Sequence, residues 1–209
     1  MGHVSRQTAT RTRLAPAQRR EQLLDLGVQL LSVRRLDDLS IDELAEEAGI
    51  SRGLLYHYFA DKRDFHLAVL RRMADQVVAI TAPGEGLEPL EQMEHSLDAF
   101  VGFVADNREA YVSFSRAAAA GDADFHRIYE DARAALTDRI FVTADAEVLA
   151  SLGLEDSPAV RMVVRGWSAL VEDLLLSWLE DDRGLTRQEL VAMMAAALPS
   201  LGQIVNPTR

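Results

Sequence analysis

The chain of 209 residues contains no cysteine. That absence removes disulfides, thiolate metal sites and cysteine nucleophiles together, and it suits a reducing cytoplasm. An uninterrupted apolar run of membrane length is missing too, because the richest stretch, Leu170 to Leu179, is broken by Glu172 and Asp173. No charged-then-apolar leader opens the chain, so a soluble, cytoplasmic protein with no membrane partner is expected. The sequence marks of catalysis are also absent: there is no zinc-protease helix motif, phosphate-cradling glycine loop or nucleophile elbow. Pairs such as His126 with Glu130, or His95 beside Glu91 and Glu94, read as solvated helix neighbours. The expectation is no enzyme, no catalytic residue, no metal and no cofactor.

Acid is lacking at one end only. Residues 1–20 carry Arg6, Arg11, Arg13, Arg19 and Arg20 with no Asp or Glu, whereas residues 64–209 hold 24 acidic against 12 basic side chains, in a chain of formal net charge −11. Such a body repels a polyanion everywhere except at its basic end. The balance therefore argues against indiscriminate nucleic-acid binding and leaves room for a localised site.

Sustained period-two alternation is the last thing missing, so no sheet is expected and the fold reads as all-α, with about nine helices. Residues 1–15 form an Arg-rich arm. Pro16 opens a first helix at the tolerated N-terminal position, with Leu23, Leu24, Leu30 and Leu31 on its apolar face and an end near Val33. Ser40 and Glu43 have the spacing of a capping box, and Ile41, Leu44, Ala45 and Ala48 make a short second helix. Gly49 ends it in the left-handed conformation, and Ser51 caps a third helix only two residues later. On that third helix Leu55 and Phe59, four apart, face the first two helices. Arg52, Gly53, Tyr56 and His57 are left on the outer side, on a rod thin enough to enter a major groove. Asp61 caps a long fourth helix over 62–81, with Lys62 in its first turn.

The segment "SIDELAEEAGISRGLLYHYFADK", preceded by "PAQRREQLLDLGVQLL", closely resembles the DNA-binding signature of the TetR family of bacterial transcription regulators. The resemblance spans about residues 16–75. It implies a three-helix DNA-binding domain over 16–62 and a larger helical domain over 63–209 that binds an effector and dimerises through its last two long helices. It further implies that Ser40, Ser51, Arg52, Gly53, Tyr56, His57 and Tyr58 lie at or near DNA and that Lys62 meets backbone phosphate. Tyr58 stands where the family very often has His. Chemistry supports the roles independently: the Arg52 fork suits guanine O6 and N7, Gly53 has no side chain to hold the helix away, and tyrosine hydroxyls can donate to phosphate. Arg11 and Arg13, on the arm, are placed to reach a minor groove or phosphates.

Beyond the breaker "APGEGLEP" at residues 82–89, apolar periodicity marks further helices at about 90–104, 108–119 and 125–140. The last two helices are too apolar for one core face each. A second subunit is expected on their other side, with Trp178, Met194 and Leu198 in the interface. An effector pocket is expected inside each subunit, lined by Met93, Leu97, Phe100, Phe103, Tyr111, Phe114, Tyr129, Arg133 and Trp167, with Arg133, Ser115 or Glu172 orienting a polar group of a largely apolar small molecule. The reading is a homodimeric, ligand-responsive repressor on palindromic double-stranded operator DNA. The alternative is a helical-bundle enzyme or a protein-binding adaptor, neither of which needs the outward set on residues 51–58.

Overall fold

In the computed structural model, residues 15–31, 34–84, 86–144, 146–152 and 154–205 are described, and their regular structure is entirely helical. The helices are α1 (Pro16–Leu31), a 3₁₀ turn (Leu36–Asp38), α2 (Ile41–Glu47), α3 (Arg52–Tyr58), α4 (Lys62–Ile80) and α5 (Pro89–Asp106). They continue with α6 (Arg108–Ala119), α7 (Ala123–Thr143), α8 (Ala146–Ser151), α9 (Pro158–Glu180) and α10 (Arg187–Val205). That makes ten α-helices among the described residues where the sequence predicts about nine. The extra one is α8, whose six residues are too few to show a helical period.

Local chemistry sets the boundaries of α2, α3 and α4. Ser40, Ser51 and Asp61 each accept a hydrogen bond from the backbone N–H three residues on, at 3.2, 3.2 and 2.8 Å. The expected Ser40–Glu43 box is altered, for the carboxylate of Glu43 pairs with Arg34. Gly49 has φ +62°, and the Ile50 N–H returns 2.9 Å to the Ala45 carbonyl, which closes α2 and turns the chain into α3.

Two apolar cores hold the molecule. The first joins Leu23 and Leu31 of α1, Leu44, Leu55 and Phe59 to Phe65, Val69 and Met73 of α4, and runs on into Ala110, Phe114 and Ile128 of α6 and α7. Helix α4 is therefore part of the core built by α1–α3 as well as its link to the rest. Its approach to α1 is so close at Gly27 that a Cβ there would meet Val69 Cγ2 at 2.7 Å. Arg72 of α4 also grips Asp25 of α1 through Nε and Nη2 at 2.9 and 2.7 Å.

The second core collects Leu97 and Val101 of α5, Val164, Trp167 and Leu175 of α9, and Leu190, Met194 and Leu198 of α10. Helix α10 has the length and mean hydropathy, 1.2, of a membrane span, but this inner stripe packs into the core.

Helices α4 and α7 run side by side in the same direction and are pinned at both ends. At the start, Arg63 donates to both Asp122 oxygens at 2.8 and 2.9 Å and to Asp124 at 2.9 Å, with its guanidinium over the Phe125 ring. At the finish, Arg139 of α7 donates from Nη1 to the Val78 carbonyl at 2.7 Å and from Nη2 to the Thr81 carbonyl at 2.6 Å.

Candidate nucleic-acid interface and effector cavity

Helix α3 is sealed on one side and open on the other. Leu55 and, just beyond its end, Phe59 are fully buried, and Phe59 meets Phe65 edge to face with ring centres 5.1 Å apart. Arg52, Gly53, Leu54, Tyr56 and His57 are exposed. The space where a Gly53 side chain would stand is empty to 4 Å. Tyr58 is half-buried against the first core and packs edge to face with His57, so less of its ring is available than of Tyr56. Ser40 and Ser51 use their oxygens as caps, which leaves each hydroxyl hydrogen free to donate outward.

Arg52 is not alone on this surface. Its guanidinium pairs with Asp42 of α2, although 64% of the Arg52 side chain is exposed. Sequence reasoning missed Asp42, because an acid in the first turn of a helix reads as ordinary dipole complementation. Lys62, the chain's sole lysine, is exposed in the first turn of α4 beside the N-cap Asp61. Arg11 and Arg13 lie outside the described residues.

On the other side of α4 lies a cavity of about 210 Å³. The side chains expected at a pocket all line it: Met93, Leu97, Phe100 and Phe103 from α5, Tyr111 and Phe114 from α6, and Tyr129, Arg133 and Trp167 from α7 and α9. Leu70, Met73, Ala74 and Val77 supply the wall from α4. Ser115 is not part of it, and its hydroxyl donates to the Val112 carbonyl of its own helix at 3.2 Å.

Polar groups punctuate the apolar lining. The Tyr129 hydroxyl donates to the Glu172 carboxylate, and burial together with that partner pushes the Tyr129 phenol up from its ordinary pKa. Tyr111 is pushed up as well, by burial first and by Glu172 second. Arg133 donates from Nε to Ser168 at 2.8 Å and from Nη2 to the Arg165 carbonyl at 2.6 Å. Arg139 lines the cavity as well; sequence reasoning passed over it, since an arginine on a long helix ordinarily reads as solvated.

The expectation for α9 and α10 needs a correction. Met194 and Leu198 are fully buried inside the subunit, and the Met194 carbonyl accepts from the Trp167 indole N–H at 2.9 Å. Trp178 is half-buried, its indole donating to the Leu185 carbonyl at 2.8 Å. Two apolar stripes run along α10, and periodicity alone does not say which one faces inward. The outer apolar stripe consists of Met162, Gly166, Ala169 and Leu170 on α9 with Ala192, Met193, Ala196 and Ile204 on α10.

Comparison with known proteins bears on both halves. Residues 23–69 match the family model described as bacterial regulatory proteins of the tetR family. Residues 89–198 match the model of the tetracyclin repressor-like C-terminal domain. The chain is similar to the HTH-type transcriptional activator FasR of Mycolicibacterium smegmatis, 27% identical over 183 residues that cover 86% of this chain and 80% of that one. Among solved structures, a tetR-family transcriptional regulator from Streptomyces coelicolor superposes with a TM-score of 0.75 at 29% identity, over 92% of this chain and 85% of the other. The regulator FadR from Bacillus subtilis, solved in complex with stearoyl-CoA, shares the fold at a TM-score of 0.63 and 14% identity, over 86% of this chain and 97% of its own.

Proposed function

The chain belongs to the TetR family of bacterial transcription regulators and is a DNA-binding transcriptional regulator; from that premise we propose that it acts in the cytoplasm as a homodimer that represses from a palindromic operator and is released by a small molecule in its cavity. The observation that carries this reading is the exposed set Arg52, Gly53, Leu54, Tyr56 and His57 on a helix whose opposite face is sealed in the core. In the major groove the Arg52 fork exchanges Asp42 for guanine O6 and N7, and Leu54 meets a thymine methyl. Tyr56, the Ser40 and Ser51 hydroxyls and Lys62 hold phosphates, with Arg11 and Arg13 adding sequence-independent charge.

The dimer uses the outer stripe of α9 and α10. Gly166, Ala169 and Ala196 are small enough for two backbones to approach closely, while Met162, Leu170, Met193 and Ile204 supply apolar area around them. Two such helix pairs across a twofold axis make a four-helix contact. Helix α4 supports the effector role, because one rigid element reaches from the recognition helix at Lys62 to the cavity wall at Val77.

The test is selection of bound fragments from the source genome at physiological salt, followed by a promoter reporter. Enrichment of a palindrome with half-sites one helical turn apart, and a reporter that rises when the gene is deleted, are expected. No enrichment above random DNA would overturn the reading. A reporter that falls on deletion would assign activation, the role that FasR carries in its name.

A further inference from the structure

One cation of the cavity lining stands apart from the carboxylates. The lining includes Arg133, Arg139 and Glu172. Glu172 is engaged by Tyr129, and Arg133 by Ser168, the Arg165 carbonyl and, at 3.8 Å, the Glu130 carboxylate. Arg139 is held only by neutral oxygens: the carbonyls of Val78 and Thr81 and, at 3.0 Å, the Thr81 hydroxyl. Among the described residues no carboxylate pairs with it, and burial alone lowers its pKa. Those three bonds use at most three of the five guanidinium N–H donors, so donors remain for another acceptor.

The placement of that cation gives the cavity a direction. Arg139 sits where α4 ends, beside Thr81 and Pro83, while the α4 wall from Leu70 to Val77 is apolar and faces Phe114 and Trp167. Leu70 to Thr81 spans about 16 Å of helix rise, a long wall that is apolar up to Val77, with a positive group at its far end. A half-buried cation on an otherwise largely apolar wall favours an anion, and a charge-assisted bond to a carboxylate is roughly twice as strong as one to a neutral carbonyl.

Resting on the reading of this cavity as the effector site, we propose that the effector is an amphipathic carboxylate, its head group held by Arg139 and its alkyl or arylalkyl tail laid along α4. Because the same guanidinium clamps the last carbonyls of α4, an acid that draws it away loosens the far end of the helix whose first turn follows the DNA-reading α3. Ligand recognition and release of DNA then share one side chain.

The full chain is titrated calorimetrically with dodecanoate, methyl dodecanoate and dodecylamine, which share a tail and differ in head-group charge. Dodecanoate is expected to bind at least about tenfold tighter than the ester. Arg139→Gln should erase that preference while leaving ester binding within about twofold, which also reports that the variant is folded; Arg139→Lys should retain the preference. Equal binding of acid and ester to the unaltered protein overturns the proposal without any variant, as does a preference that survives Arg139→Gln. Tighter binding of the amine overturns it in favour of Glu172. If dodecanoyl-CoA binds and the free acid does not, the carboxylate assignment is overturned as well. Failure of all these probes removes the ligand class and leaves the operator selection, which needs no ligand, to stand or fall alone.

Discussion

Arg52 is already paired with Asp42, and that changes what its proposed DNA contact requires. On the proposed reading, a random sequence that offers no good acceptor must displace a carboxylate for little return, so Asp42 would suppress loose binding. Arg52→Ala is expected to remove roughly 1–3 kcal/mol of discrimination between operator and scrambled duplex, measured by fluorescence anisotropy. Asp42→Ala should act in the opposite direction on random DNA, tightening it and narrowing the operator preference. If Asp42→Ala leaves random binding unchanged, the pair has no part in selectivity. Lys62→Ala should weaken all sequences alike and lower the salt slope by about one. Since Lys62 is the only lysine, operator should also protect a single site from acetylation, read by mass spectrometry. At this scale the sequence shows which groups point outward from α3, because Leu55 and Phe59 fix the inward face. It does not show the Asp42 pairing, which depends on how two helices cross.

Among the elements, the proposed function gives the coupling to α4 and α7 and the assembly to α9 and α10. The Arg63 latch holds the Asp122 carboxyl down from 3.8 to about 2, chiefly through the Arg63 hydrogen bond and then through the Phe125 N–H. A carboxyl depressed in the folded state contributes stability that is complete above its unfolded value and is lost as the pH falls toward the folded one. The melting difference between the wild type and Arg63→Gln should therefore be full at neutral pH and close between about pH 4 and pH 2. A difference that stays constant over that window would show that the carboxylates are not involved. For the dimer, Met193→Asp on the exposed stripe should give folded monomers by light scattering, whereas Met194→Ala, one residue on, should cost about 2–5 kcal/mol of subunit stability. Helix starts were legible because Ser40, Ser51 and Asp61 act within three residues of themselves. The aromatic and aliphatic cavity lining was legible because bulky apolar groups on several helices converge inside a bundle. The latch was not: Arg63 lies 59 residues from Asp122, and nothing local joins them.

At the scale of the whole molecule, the two α3 helices of the proposed dimer would have to meet successive major grooves about 34–36 Å apart, and a shift in their separation would weaken both half-sites together. A ligand acting through α4 needs only about 1–3 kcal/mol of coupling to release the operator, and the coupling must be reciprocal. Since the chain has no cysteine, a single introduced one can be spin-labelled without background. Glu47→Cys is suitable, because Glu47 is exposed at the end of α2, beside the recognition helix and away from its outward face. The decisive measurement is the label-to-label distance across the dimer by pulsed dipolar spectroscopy, with operator and with a molecule bound in the cavity. One narrow distance with operator, displaced to a different value when the cavity is filled, is the predicted result. The same distribution in both states, or no dipolar distance at all, would contradict a dimer whose DNA-reading helices are moved from the cavity.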